Sequence, residues 1–280
     1  MGQRPEQFNL MRGHPLWRDC GFAGLGRHHH STYYHDDSLY YNHGTLTSMD
    51  PSTDWVFNAE LGRWVTTYSV LASYIDVEVV RKNIAAGQTA FSIVAWARPT
   101  LIDANARFVF NIGSFGGTSV ALHRGISGTW AFLTPTSHGG IHLFGNTPAV
   151  VNEWSCVAGT WSASANIQNL YLNGFSDVSP AATTLTALNS TTVTSETARI
   201  GRQAKSPFET KRFWMGDISD VLLFSRVLTP VEVALLADRS DPMLGGALLY
   251  PRRVSFPAAA VGAVPWAYRH RLAAGHYIGA

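Results

Sequence analysis

From about residue 88 the apolar positions recur every second residue in short runs separated by glycine, proline and serine, a pattern that predicts strands. In FSIVAWARP, residues 91–99, Phe91, Ile93, Ala95 and Ala97 fall on one face and Val94 and Trp96 on the other. Both faces are apolar until Pro99 ends the run, so this is an interior strand of a sandwich. Residues 107–112 (RFVFNI), 119–122, 129–133 (TWAFL) and 140–144 (GIHLF) continue the pattern. In EWSCVAGTW, residues 153–161, Trp154, Cys156, Ala158 and Thr160 alternate with Val157 and Trp161. Asn173-Gly174 supplies the two positive-φ residues of a type I′ turn, so 170–172 should pair with 175–178. ARIGRQ reads as one more short strand and FWMGDISDVLLFS as a long one. Thr229-Pro230-Val231-Glu232 is a capping box with proline at the first helical position, which predicts a single short helix over 230–238.

Residues 1–30 read as an N-terminal arm with a first strand, 31–238 as one domain, and 239–280 as an extended C-terminal arm. The last segment has no acidic residue after Asp241 and is rich in Ala, Gly and Pro, too little to form a core. Its aromatic residues are too many for a solvated linker. Docking on another surface accounts for both, with Tyr250, Arg252, Arg253, Phe256, Trp266, Arg269 and Arg271 as the partner-binding residues.

Composition narrows the function. The 280 residues are only 14% charged, 12% aromatic and contain 25 glycines, as expected of an all-β protein with a Ser, Thr, Asn and Gly surface. A formal charge of +2 without a block of lysines is too small to imply a polyanion partner for the whole chain, and nucleic acid is not expected as a partner. Cys20 and Cys156 form neither a disulfide framework nor a metal spacing. Neither a signal-peptide core nor a membrane-length apolar stretch is present, so synthesis in a cytosol is expected.

FSIVAWARPT, EWSCVAGTWSASANIQNLYLNG, ARIGRQ and FWMGDISDVLLFSRVLTPVEVALLA, in that order, resemble the laminin G-like, concanavalin A-like jelly-roll domains; upstream, YYNHGTLTSMDPSTDWV resembles their opening segment. The resemblance covers roughly residues 10–238. It implies an all-β, two-sheet antiparallel jelly-roll sandwich with one short C-terminal helix, in a family of lectins, adhesion modules, glycosidases and virion surface proteins.

Retaining glycosidases of this fold resemble one another in a strand reading E-x-D-x-x-E, where a period of two brings two carboxylates to one face. This chain has no such strand. Asp217 and Asp220 are three apart, so a regular strand turns them to opposite faces, and only a bulge could bring them into one cleft. No enzyme activity is therefore expected, and no triad, phosphate loop or zinc motif stands in the sequence. The resemblance makes Asp220 the calcium candidate, because the acidic position of the closing strand lies near the metal in calcium-binding members; no other cofactor is expected. The stretch GRHHHSTYYHDDSLYYNHG, residues 26–44, supplies His28, His30, His35, Asp37, Tyr41 and Asn42 as glycan or metal candidates, and suits a subunit contact equally well. Trp96, Trp154, Trp161 and Trp214 lie in predicted strands and are expected in the core.

The reading these features favour is a virion structural protein, a phage capsid decoration or surface protein. It would be a homo-oligomer, most plausibly a trimer, that binds a capsid or other virion protein through its arms. The alternative is a glycan-binding lectin or adhesion module, calcium-dependent if Asp220 holds the ion; a glycoside hydrolase ranks third.

Overall fold

A computed structural model describes residues 14–26, 31–70, 72–77, 88–113, 119–136, 139–178, 198–203 and 212–238. Within them the chain forms two antiparallel sheets of eight strands each, the expected sandwich. The first sheet holds β1 (Cys20–Gly24), β4 (Trp55–Asn58), β5 (Arg63–Tyr68), β7 (Ala90–Pro99), β12 (Ser155–Ser162), β13 (Ile167–Leu172), β14 (Phe175–Ser176) and β16 (Gly216–Phe224). The second runs β11 (Gly139–Pro148), β10 (Thr129–Thr136), β9 (Val120–Arg124), β8 (Arg107–Ile112), β15 (Ala198–Ile200), β6 (Tyr74–Val77), β3 (Gly44–Thr47) and β2 (Tyr33–Tyr34).

The two-sided apolar run at 91–99 is β7, an interior strand hydrogen-bonded to β12 and β16. Ile93, Ala95 and Ala97 meet Phe110, Phe132, Trp161 and Trp214 between the sheets, while Val94 and Trp96 face outward. That outward face is covered in turn. A 3-10 turn, Pro15–Trp17, stacks Trp17 on Phe224 at 6.3 Å, and Val233 and Leu236 of the closing helix α1 (Pro230–Leu236) fill the rest. The described part of the N-terminal segment packs on its own sandwich, with Cys20 pairing to Phe224. Trp96, Trp154, Trp161 and Trp214 are all buried, as are both cysteines.

Turn chemistry follows the sequence. Asn173 and Gly174 adopt φ of 51° and 88°, the type I′ geometry that joins β13 to β14. The Thr229 hydroxyl accepts from the Glu232 amide while the Glu232 carboxylate accepts from the Thr229 amide, completing the capping box. Arg226 clamps the same carboxylate through both terminal nitrogens. Burial would raise the Glu232 pKa, but the hydrogen bonds from Arg226 and Thr229 hold it at about 2. The box is then fully stabilising above the unfolded glutamate pKa of roughly 4.3 and fades only as the pH falls through about 2. Thr229→Ala is expected to cost about 1 kcal/mol in a urea titration at neutral pH.

Candidate functional site

The candidate loop follows β2. Tyr34 points into the core, stacked between Phe22 at 6.2 Å and Trp55 at 5.7 Å, and its hydroxyl donates to the Gly24 and Ser219 carbonyls of the first sheet. A Cβ on Gly24 would stand 2.0 Å from the Tyr34 ring, so only glycine admits this close approach. Tyr34 thereby fixes where the loop begins.

Asp36 fixes its path. Its buried carboxylate accepts hydrogen bonds from the Ala23 amide (2.8 Å), the Ser38 amide (2.9 Å), the Ser38 hydroxyl (2.7 Å) and the Asn42 amide (2.7 Å). Asn42 donates from its side chain to the Gly21 carbonyl at 3.1 Å, and Asp37 donates its amide to the Ala23 carbonyl at 2.8 Å. The segment is stitched to β1 along its length. Its non-polar side chains are left outside: Tyr33, Leu39, Tyr40 and Tyr41 are all exposed.

The imidazoles complete the surface. His43 accepts the Asp36 amide at Nδ1, which leaves the ring proton on Nε2, and it meets His35 edge-on at 5.1 Å and Tyr41 at 6.2 Å. His35 contacts the Ser31 hydroxyl at 3.2 Å; burial, then the neighbouring His43, lowers its pKa and keeps it a neutral ring. Tyr41 is 58% exposed at a φ of 52°. A tyrosine held left-handed is strained backbone, maintained here by the hydrogen bonds on either side.

Of the sequence candidates, the structure brings His35 and Tyr41 together around His43. Asn42 is 2% exposed and serves as a brace with its amide spent on Gly21, and Asp37 is half-buried. His28 and His30 lie outside the described residues, as do Tyr250, Arg252, Arg253, Phe256, Trp266, Arg269 and Arg271 of the C-terminal arm. Sequence reasoning missed Asp36 and His43, and it singled out Tyr41 alone among the exposed tyrosines of the stretch. The signal for Asp36 was the Asp-x-Ser spacing of an Asx-turn, in which the carboxylate caps the amide two residues on. Among the described residues, no group of three or more His, Cys, Asp or Glu could hold a metal ion.

The opposite-face expectation for Asp217 and Asp220 needs correction. Ile218 pairs with Ala97 but Val221 with Ala95, so β16 carries one extra residue, and Ile218 and Val221 both join the inner core. The bulge turns both aspartates to the outer face. Each is neutralised there: Asp217 binds Arg98 and, at 2.7 Å, the Thr67 hydroxyl, while Asp220 binds Arg63. Asp220, the calcium candidate, therefore spends one carboxylate oxygen on a guanidinium.

The two-sheet antiparallel sandwich has the architecture of the concanavalin A-like fold. The chain belongs to the concanavalin A-like lectin/glucanases superfamily, whose sequence model matches residues 72–234. Comparison with curated proteins gave no match. Among solved structures, the binding domain of Paraclostridial Mosquitocidal Protein 1 is similar with a TM-score of 0.59 and 16% identity, over 80% of this chain and 53% of that one. Domain 4 of AbnA, an extracellular GH43 arabinanase of Geobacillus stearothermophilus in complex with arabinotriose, gives 0.59 and 14%, over 79% of this chain and 98% of that one. The receptor-binding domain of botulinum neurotoxin C/D mosaic serotype gives 0.59 and 15%, over 79% and 51%. The chain spans about half the length of the two toxin chains, and at these identities the likeness is one of fold.

Proposed function

We propose that this chain is a non-catalytic carbohydrate-binding module that recognises a cell-surface or polymeric glycan through the loop over residues 31–43. One observation carries the reading: Tyr33, Tyr40 and Tyr41 are presented to solvent by a segment whose backbone is already locked by Asp36, Asn42 and Tyr34. Flat, pre-placed rings stack on sugar faces without a further ordering cost. The imidazoles of His35 and His43 lie beside them as hydroxyl partners. The similarity to a toxin receptor-binding domain and to a domain solved with arabinotriose supports a glycan ligand.

Two arginine-paired aspartates support the absence of catalysis, since a carboxylate held by a guanidinium is a poor general acid or nucleophile. Calcium has no part in this reading. The virion role and trimeric assembly expected from the sequence drew on the family resemblance, the missing signal peptide and the terminal arms; residues 14–26 of the N-terminal arm pack on their own sandwich, and the C-terminal arm lies outside the described residues.

The test is a glycan array followed by calorimetric titration of the best ligand into the full chain and into Tyr41→Ala. Tyr41 is exposed, so the variant should melt with the parent protein while losing at least about tenfold in affinity. Release of reducing ends from that ligand by the parent protein would overturn the non-catalytic assignment.

A further inference from the structure

The two ends of the sandwich differ in what they present, and β8 leads from one to the other. Ile112 at its close is in register with Ala198, Val77, Gly44 and Tyr34, and so stands at the tyrosine-loop end. Arg107 at its start follows the 100–106 loop at the opposite end. Three connections meet there: 100–106 between β7 and β8, 125–128 between β9 and β10, and 149–154 between β11 and β12. Their aliphatic side chains face water, with Leu101, Ile102, Ile126, Val150 and Val151 between 37% and 69% exposed.

The connections are tied in a closed circuit. Buried Arg124 donates to the carbonyls of Asp103 and Asn105 in the first and of Gly125 in the second. The Ala149 amide donates to the Gly128 carbonyl at 2.9 Å, joining the second to the third. The Asn152 amide donates to the Pro99 carbonyl at 2.7 Å, which returns the third to the start of the first. Ile102 comes within 3.8 Å of the place a Cβ on Gly128 would take, so the first two loops also meet at the surface. Phe144 borders the patch with its ring beside Gly125, held by His142, which stacks on it at 5.6 Å and lies 3.2 Å from the buried His123. These side chains are placed before any partner arrives, so covering them costs little ordering.

Size and charge indicate what covers them. Five aliphatic residues at these exposures present on the order of 450 Å² of apolar surface, in the range of a functional patch. A standard interface takes about 800 Å² from each partner, a little over half of it apolar, which is again about 450 Å². Asp103 and Asp217 near the patch are already matched within the chain, the first by Arg107 and Arg124 and the second by Arg98. Glu153 stands exposed at the margin, where an interface keeps its polar rim. Such a surface asks for no opposite charge and, under a two-fold axis, is its own complement.

From this patch we infer that the chain pairs with a second copy of itself, end to end, through the 100–106, 125–128 and 149–154 loops. The two tyrosine loops then face away from each other at the far ends of the pair. With a glycan on each, as proposed above, the dimer engages two stretches of one polymer and gains avidity without a new contact. That consequence rests on the loop reading; the pairing does not.

Sedimentation velocity on the full chain over a range of concentrations tests the pairing. A monomer–dimer equilibrium is expected, with the dimer gaining as concentration rises. Ile126→Asp and Val150→Asp each place a carboxylate in the covered face and should weaken the dimer at least about tenfold. Both sites are open to water in the single chain, so the variants should keep the parent fold by circular dichroism. Ile167→Asp, exposed at the other end of the sandwich where Ile167 pairs with Ser162, should leave the dimer intact. A parent chain that stays monomeric throughout overturns the inference, and so does a dimer that survives unweakened in both folded aspartate variants. A monomer whose Ile126 and Val151 amides are shielded from hydrogen exchange assigns the face to residues 239–280 of the same chain and overturns it as well. None of these measurements uses a glycan, so the pairing and the tyrosine-loop site fail separately.

Discussion

Asp36→Ala is expected to abolish glycan binding by the tyrosine loop and to destabilise the protein by roughly 3–5 kcal/mol. Four hydrogen bonds converge on that carboxylate, and three of their donors are backbone amides. Without it, the Ala23 and Asn42 amides are left in a buried place with no acceptor. The loop from Asp37 to Asn42 then loses its tie to β1, and Tyr41 loses the bonds that hold its left-handed backbone. Asp36→Asn separates charge from shape: it retains an acceptor oxygen and should recover about half the stability. Urea titration and calorimetry of both variants check this. An Asp36→Ala protein that binds the array ligand normally would assign the loop's order to Tyr34 alone.

A second large effect is expected at Arg124, whose side chain is completely buried. Its guanidinium donates to the Asp103 carboxylate at 2.9 Å and to the carbonyls of Asp103, Gly125 and Asn105 at 3.1, 3.0 and 2.6 Å. Asp103 also binds Arg107, so one carboxylate and two arginines tie the 103–107 turn to β9. Arg124→Met preserves much of the volume but removes every donor. The Asp103 and Asn105 carbonyls lose their Arg124 donor, while the Gly125 carbonyl keeps the Gly128 amide and Asp103 Oδ1 keeps Arg107 and the Asn105 amide; breaking this buried ion pair costs roughly 3–5 kcal/mol, or on the order of 10 °C in melting temperature. Burial opposes ionisation of Asp103, but the bonds from Arg107 and Asn105 outweigh it and hold its pKa well below the usual carboxylate range. The knot's contribution is therefore fully present above the unfolded aspartate pKa and is lost only in strong acid. An unchanged melting temperature in Arg124→Met would show that Arg107 alone suffices.

What could be read in the sequence was what depends on neighbours along the chain. The alternation in 91–99, the Asn173-Gly174 turn and the Thr229–Glu232 box are local, and each gave its element. The bulge at 218–221 was not legible, because an extra residue changes no composition and appears only against the β7 register. Asp36 and Asp37 are adjacent and chemically identical. The Asp-x-Ser spacing favours Asp36 locally, but the tie to β1 through the Ala23 amide, thirteen residues earlier, is not local and could not be read. Likewise the closeness of His123 and His142 depends on the pairing of three strands, which no single stretch encodes. The exposed rings at 33, 40 and 41 were visible as residues, but their presentation follows from contacts with β1.

The position of β16 has a kinetic consequence. It is the last described strand in the chain, yet it lies inside the first sheet, bonded to β7 and β5 and joined by β1 through the pairing of Cys20 with Phe224. Strands made early must wait, unpaired along one edge, until residues 216–224 leave the ribosome. Loop-closure entropy makes such distant pairings slow to form, and the waiting edges of β5 and β7 are apolar templates for association. Folding of this sandwich is therefore gated by its final strand, and chains truncated before it are destined to aggregate.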